Sequence, residues 1–199
     1  MHIRNISFYY DSPSIKAVDD INLTIKKGKM IGFIGASGSG KSTLIDLILG
    51  ILKPSSGTIM IGDKNIHMNI YNWQKNIGYV PQNIYLVDDT LRRNIALGLD
   101  DEEIDENRIF NAIKLSNLEE FINESEDGLD MMVGERGVKL SGGQLQRIGI
   151  ARSLYHDPSI LILDEATSAL DSNTESQIMN SIIAMKGKKT IIIIAHRLS

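Results

Sequence analysis

The stretch Gly35-Ala36-Ser37-Gly38-Ser39-Gly40-Lys41-Ser42 limits what this chain can fold into more than any other. It lies between the apolar run Met30 to Ile34 and a run from Thr43 to Leu49 with the apolar spacing of a helix, closed by Gly50. A short apolar run bounded by glycine predicts a strand buried on both faces. Strand, glycine turn and helix in that order predict a phosphate cradle: small residues let backbone N–H groups wrap a polyphosphate, and the helix N-terminus adds partial positive charge. At the spacing G-x-x-x-x-G-K-S, Lys41 reaches the β- and γ-phosphates and Ser42 ligates Mg²⁺. The competing reading is a glycine turn that only joins two core elements.

Around this loop the pattern is α/β. Ile3 to Tyr10 and Ala17 to Ile25 alternate as two antiparallel strands, with Ile21, Leu23 and Ile25 on one face. Further strands are predicted at Thr58 to Ile61, Ile77 to Val80, Ile160 to Leu163 and Thr190 to Ile194, with a helix from about Thr174 to Met185. Between Asn83 and His156 the pattern changes to short helices, at Leu91 to Ala96, Glu106 to Leu115 and Leu118 to Asn123, then a longer one from Leu145 to His156. The simplest account is a mostly parallel sheet with helices on both faces, an antiparallel β part at the start and a helical subdomain inserted over about 83–156. Trp73 reads as a packing residue, and the acids from Asp100 to Asp105 as a solvated surface.

Composition excludes several function classes. The 199 residues carry a net charge of −4, which provides no global basic field for nucleic acid. With 0 cysteines there is no disulfide, thiolate metal site or cysteine nucleophile. The longest apolar runs, such as Ile191 to Ala195, fall far short of the ~20 residues of a membrane span. Met1 to Asn5 has no apolar signal-peptide core.

Two further stretches carry chemistry. Ile160-Leu161-Ile162-Leu163 ends in Asp164-Glu165, and in nucleotide-binding α/β sheets ligands sit at the carboxyl ends of strands, where an Asp holds Mg²⁺ and a neighbouring acid orients water. Otherwise, both acids only cap the next helix. Leu140-Ser141-Gly142-Gly143-Gln144 opens the long helix as a second anion-binding N-terminus, or as an ordinary serine cap on a glycine turn.

Taken together these residues resemble the ATP-binding cassette (ABC) family of nucleotide-binding domains over nearly the whole chain. Gly35 to Ser42 resembles Walker A, Gln82 the Q-loop, Leu140 to Gln144 the signature, Ile160 to Glu165 Walker B, Ser168 to Asp171 the D-loop and His196 the switch histidine, in the family's order. Val133-Gly134-Glu135-Arg136-Gly137 and Asp88 to Ile95 are similar to stretches of exporter-type cassettes. The resemblance implies that Gly35, Ser37, Gly38, Ser39, Gly40, Lys41, Ser42 and Thr43 hold the phosphates of ATP, and that Ser42, Gln82 and Asp164 hold Mg²⁺. It implies that Glu165 polarises the attacking water, that His196 contacts the γ-phosphate and that Tyr10, rather than Tyr9, stacks on adenine.

It also implies a head-to-tail dimer, with Ser141, Gly142, Gly143 and Gln144 of one copy closing on the nucleotide of the other. The function implied is the ATPase of an exporter or flippase at the cytoplasmic face of a membrane, its transmembrane part absent from this chain. The surface facing that part would be Gln82 to Asn94 with Glu135 and Arg136. One domain is implied over 1–199, lacking the C-terminal helices and strand that follow the switch histidine in the family. A soluble cassette ATPase of DNA repair or chromosome organisation is the rival. Such proteins separate Walker A from the signature by a coiled coil or zinc insertion, and no heptads or cysteines occur here.

Overall fold

The computed structural model describes residues 1–10, 15–134, 140–165 and 172–195. The chain runs β1 (His2–Phe8), β2 (Val18–Thr24), β3 (Met30–Ile34), α1 (Lys41–Leu49), β4 (Ser56–Ile61), β5 (Lys64–Asn65), α2 (Ile70–Gln74), β6 (Ile77–Val80), β7 (Asp89–Thr90), α3 (Leu91–Ile95), α4 (Glu106–Leu115), α5 (Glu119–Asn123), β8 (Met132–Val133), α6 (Gly142–Leu154), β9 (Ile160–Asp164), α7 (Ser172–Ala184) and β10 (Thr190–Ala195).

An antiparallel sheet of order β2-β1-β4-β5 opens the fold. In β1 the buried residues are Ile3, Ile6 and Phe8, a spacing that strict alternation forbids. The register shifts between Ile3 and Ile6, where Asn5 takes φ 50°, and the inserted residue returns Ile6 to the core face.

The second sheet, of order β3-β10-β9-β6, is parallel throughout, as strands alternating with helices imply. Its inner strand β9 buries both faces. Leu161 and Leu163 join the core under α6 with Ile148 and Ile150, while Ile160 and Ile162 join the core under α1 with Ile45 and Ile48. Each such aliphatic side chain removed from water stabilises the fold by about 1.5–3 kcal/mol. β3 departs from its expected burial on both faces. Among the described residues it pairs with β10 alone, so it is an edge strand, and Ile34 is 51% exposed.

Helix ends follow local chemistry. Gly50 takes φ 72° and its N–H bonds the carbonyls of Asp46 and Leu47, which stops α1 where the sequence places the stop. α6 begins at Gly142, earlier than the apolar periodicity indicates, because Ser141 caps it with its own side chain. It packs on α3, α4 and β6. Gly78 of β6 permits the close approach, since a Cβ there would lie 2.4 Å from the Ser153 carbonyl oxygen.

Three features differ from expectation or were not foreseen. The β7–β8 ribbon lies within a stretch read as helical, and strands of two residues carry no period to read. The segment over β5 and α2 is held by Asn65 and Asn69 accepting from the backbone N–H groups of His67 and Asn72, with Trp73 buried and its indole N–H donating to the Ile48 carbonyl at 2.7 Å. The acids from Asp100 to Asp105 do more than face water: Asp105 caps α4 and Asp101 pairs with Arg93 at 2.7 Å.

Candidate functional site

Parallel strands deliver their carboxyl ends to one edge of the sheet, so the loop after β3, Asp164 at the end of β9 and Gln82 just after β6 share one side of the molecule. The loop is shaped by glycine. Gly38 and Gly40 take φ 78° and 84°, in the left-handed region, and a Cβ on Gly40 would fall 2.2 Å from the Ala17 carbonyl oxygen. Gly40 caps α1 without a side chain, so the cap itself offers no side-chain oxygen to the first N–H groups of that helix. The Lys41 ammonium donates to the carbonyls of Gly35 at 2.7 Å and Ala36 at 2.9 Å, which fixes a positive charge over the turn.

A cavity of about 280 Å³ opens there, lined by Tyr10, Ala17, Ser37, Gly38, Ser39, Gly40, Lys41, Ser42, Thr43 and Glu165. Tyr10 stands at its rim, 58% exposed, with its ring edge-on to Phe8 at 4.9 Å and its hydroxyl 3.0 Å from Thr43 Oγ1. Tyr9 is not among the lining residues.

Glu165 is the acid that faces the loop. Its backbone takes φ 49°, a conformation that costs a side chain about 1–2 kcal/mol and gathers at functional sites. Among the described residues, its N–H donates to the Ile194 carbonyl at 3.2 Å, and its Oε2 accepts from Gln82 Nε2 at 2.9 Å. Asp164 turns elsewhere, accepting at Oδ2 from the Tyr79 hydroxyl at 3.2 Å. Asp46, one helical turn beyond Ser42 on α1, has its carboxyl raised above the ordinary range by burial and then by the charge of Asp164. The same two acids, after burial, raise the Tyr79 phenol so that it stays a donor.

The second helix start is built differently. Ser141 Oγ accepts from the Gln144 N–H at 3.2 Å, and Gln144 Oε1 accepts from the Ser141 N–H at 2.8 Å. This is a reciprocal capping box. Ser141, Gly142, Gly143 and Gln144 do not line the cavity that holds the lysine loop. Gly35, Gln82 and Asp164 stand at the same sheet edge but outside its lining. His196, the segment from Ser168 to Asp171 and the residues Glu135 to Gly137 lie outside the described residues.

Sequence reasoning missed three contributors: Ala17, whose carbonyl seats against Gly40, and the pair Tyr79 and Asp46 around Asp164. The Asp46 position was readable as four residues after Ser42 on one helix, whereas Tyr79 needed the strand register.

Residues 18–168 match the family described as ABC transporter. The ATP-dependent lipid A-core flippase of Ralstonia nicotianae is 40% identical over 201 residues, which are 100% of this chain and 34% of that protein. The exotoxin translocation ATP-binding protein PaxB of Pasteurella aerogenes is 44% identical over 197 residues, 98% of this chain and 27% of that protein. Among solved structures, a bacterial Atm1-family ABC exporter with ATP bound shares the fold at a TM-score of 0.88 and 36% identity, over 98% of this chain and 34% of its own. The chain thus spans only about a quarter to a third of the length of these relatives. Fold and sequence agree from end to end of the described chain, which belongs to the ABC transporter family as one of its ATP-binding ATPase domains.

Proposed function

We propose that the chain hydrolyses Mg²⁺-bound ATP to power a membrane exporter or flippase, working head to tail with a second such domain at the cytoplasmic face. The observation that carries this reading is the single cavity that Lys41 and Glu165 line together, a phosphate-binding loop on one side and a strained acid on the other. Export is supported by the flippase, the toxin translocator and the exporter that this chain resembles. Among the described residues no helix is long and apolar enough to cross a membrane, so a membrane part would come from sequence outside this chain. The surface of Gln82 to Asn94, where the helical stretch at about 83–156 begins, would face it.

The donor chemistry around Asp164 fits Mg²⁺. Ser42 and Gln82 offer neutral oxygens and Asp164 a carboxylate, the hard donors this ion prefers, and one carboxylate with substrate phosphates is its common mode of binding. Burial and then the charge of Asp164 raise the Asp46 carboxyl, so a cation beside these two acids would meet a favourable field. Bound there, the ion would neutralise charge on the β- and γ-phosphate oxygens.

In this reading Ser37 to Thr43 cradle the phosphates with backbone N–H groups, and Lys41 exchanges its carbonyl partners for phosphate oxygens. Tyr10 offers its face to the base. Glu165 accepts the proton of a water that attacks the γ-phosphorus as the bond to the bridging oxygen breaks, with Gln82 fixing the carboxylate's direction. His196 would stabilise the charge that develops. Ser141 and the glycines after it would reach the nucleotide of the partner copy.

The test is Glu165→Gln. ATP turnover should fall by about 100-fold or more, since general-base assistance contributes on that order, and sizing in saturating ATP should show a trapped dimer. Full turnover in the variant removes Glu165 from catalysis, and a monomer under saturating ATP removes the head-to-tail arrangement.

A further inference from the structure

The carboxylate of Asp164 would help to hold a cation, and its rotation is set by the groups that direct it, the Tyr79 hydroxyl among them. Parallel pairing sets Tyr79 of β6 beside Ile162 of β9. Residues two apart on a strand share a face, so Tyr79 and Asp164 lie on the same side of the sheet, about 7 Å apart along the strand direction. A tyrosine side chain spans that gap. Its ring packs among the residues under α1, and its hydroxyl meets Asp164 Oδ2 at 3.2 Å. Asp46 approaches from α1 over the same face, so the phenol stands near two acids and donates to the one at the strand end.

We propose that Tyr79 is a positioning residue for the metal site: its hydroxyl fixes the rotation of the Asp164 carboxylate and so its aim at the cation. The proposal rests on the ATPase reading given above. A core tyrosine that merely satisfies its own hydroxyl would leave metal-dependent binding untouched, and this difference makes the two roles separable.

The experiment is titration calorimetry of the chain with ATP, once in EDTA and once in excess Mg²⁺, for the unsubstituted protein, Tyr79→Phe, Asp164→Asn and the double variant. Phenylalanine keeps the ring and its packing, so the EDTA affinity of Tyr79→Phe should match the parent and its melting temperature should stay within a few degrees, which certifies its fold. The tightening of ATP binding by Mg²⁺ should fall about three- to tenfold in Tyr79→Phe, the range expected for the net loss of one ordinary hydrogen bond. On the Asp164→Asn background the same substitution should change the tightening less than about twofold, because residues acting through one another are not additive.

Undiminished tightening in Tyr79→Phe, an equal loss on both backgrounds, or equal ATP affinity of the parent with and without Mg²⁺ each overturns the proposal while leaving ATP binding in place. Failure of the unsubstituted chain to bind ATP in either buffer overturns the ATPase reading and this inference with it.

Discussion

The chain begins two helices with glycine, and the two starts are opposites. α1 has Gly40 as its cap, with φ 84° and no side-chain hydrogen bond from that cap, whereas α6 has Ser141 and Gln144 closing a reciprocal capping box. A helix start leaves its first N–H groups without helical partners, and α6 meets part of that need internally while α1 leaves it to whatever enters the cavity. The first start is therefore one whose own cap leaves room for an anion. The second is complete on its own, and a ligand reaching it must share or displace the serine.

Breaking that contrast at Gly40 should have the largest effect. Alanine at this position would be strained at φ 84° and would press its Cβ against the Ala17 carbonyl, a backbone atom that cannot swing aside. Gly40→Ala is expected to cost about 2–4 kcal/mol of stability and to weaken ATP binding by at least about tenfold, read by urea unfolding and calorimetry. If the variant binds ATP as the parent does, the turn is not a cradle but a connection.

A smaller effect is expected at Ser141. Ser141→Ala removes one cap oxygen and should cost about 1 kcal/mol in unfolding free energy, the usual worth of such a cap. ATP affinity of a single copy should change less than about twofold, because Ser141 does not line the cavity of its own chain. A large loss of affinity without dimerisation would mean that both starts serve one nucleotide within one copy.

The two regions also differ in how far the sequence reveals them. The cradle was readable because its spacing, flanking strand and following helix all act within a few residues. The ends of β6 and β9 were readable for the same reason, as short apolar runs stopped by Pro81 or by two acids. What joins them was not. Tyr79 meets Asp164, and Gln82 meets Glu165, only through the parallel register. Pairing across 83 to 85 positions leaves no local period in the sequence, so the resemblance supplied roles for Gln82 and Glu165 but not their mutual bond. The edge position of β3 was hidden likewise, since an apolar run looks the same in the middle of a sheet and at its margin.

The contrast extends to the far ends of the same helices, where the smallest effect is expected. α1 ends at Gly50 with no basic residue in its last turn, while α6 ends near Arg152 and His156. A helix C-terminus favours a protonated histidine, but burial, followed by the charges of Arg108 and Lys75, holds His156 below its ordinary value. The unfolded chain then takes up this proton first as pH falls. Stability is lost on acidification through the window from the ordinary histidine value down to the lowered native one. His156→Gln cannot take up that proton, so between pH 7 and pH 5 it should lose less stability than the parent. Because the ring is only partly withdrawn from solvent and its charge is screened, the difference should stay under about half a kcal/mol, measured by urea unfolding at several pH values. Parallel pH profiles for variant and parent would mean that the helix terminus offsets burial and the two cations together, leaving the fold with no net preference between the two protonation states of His156.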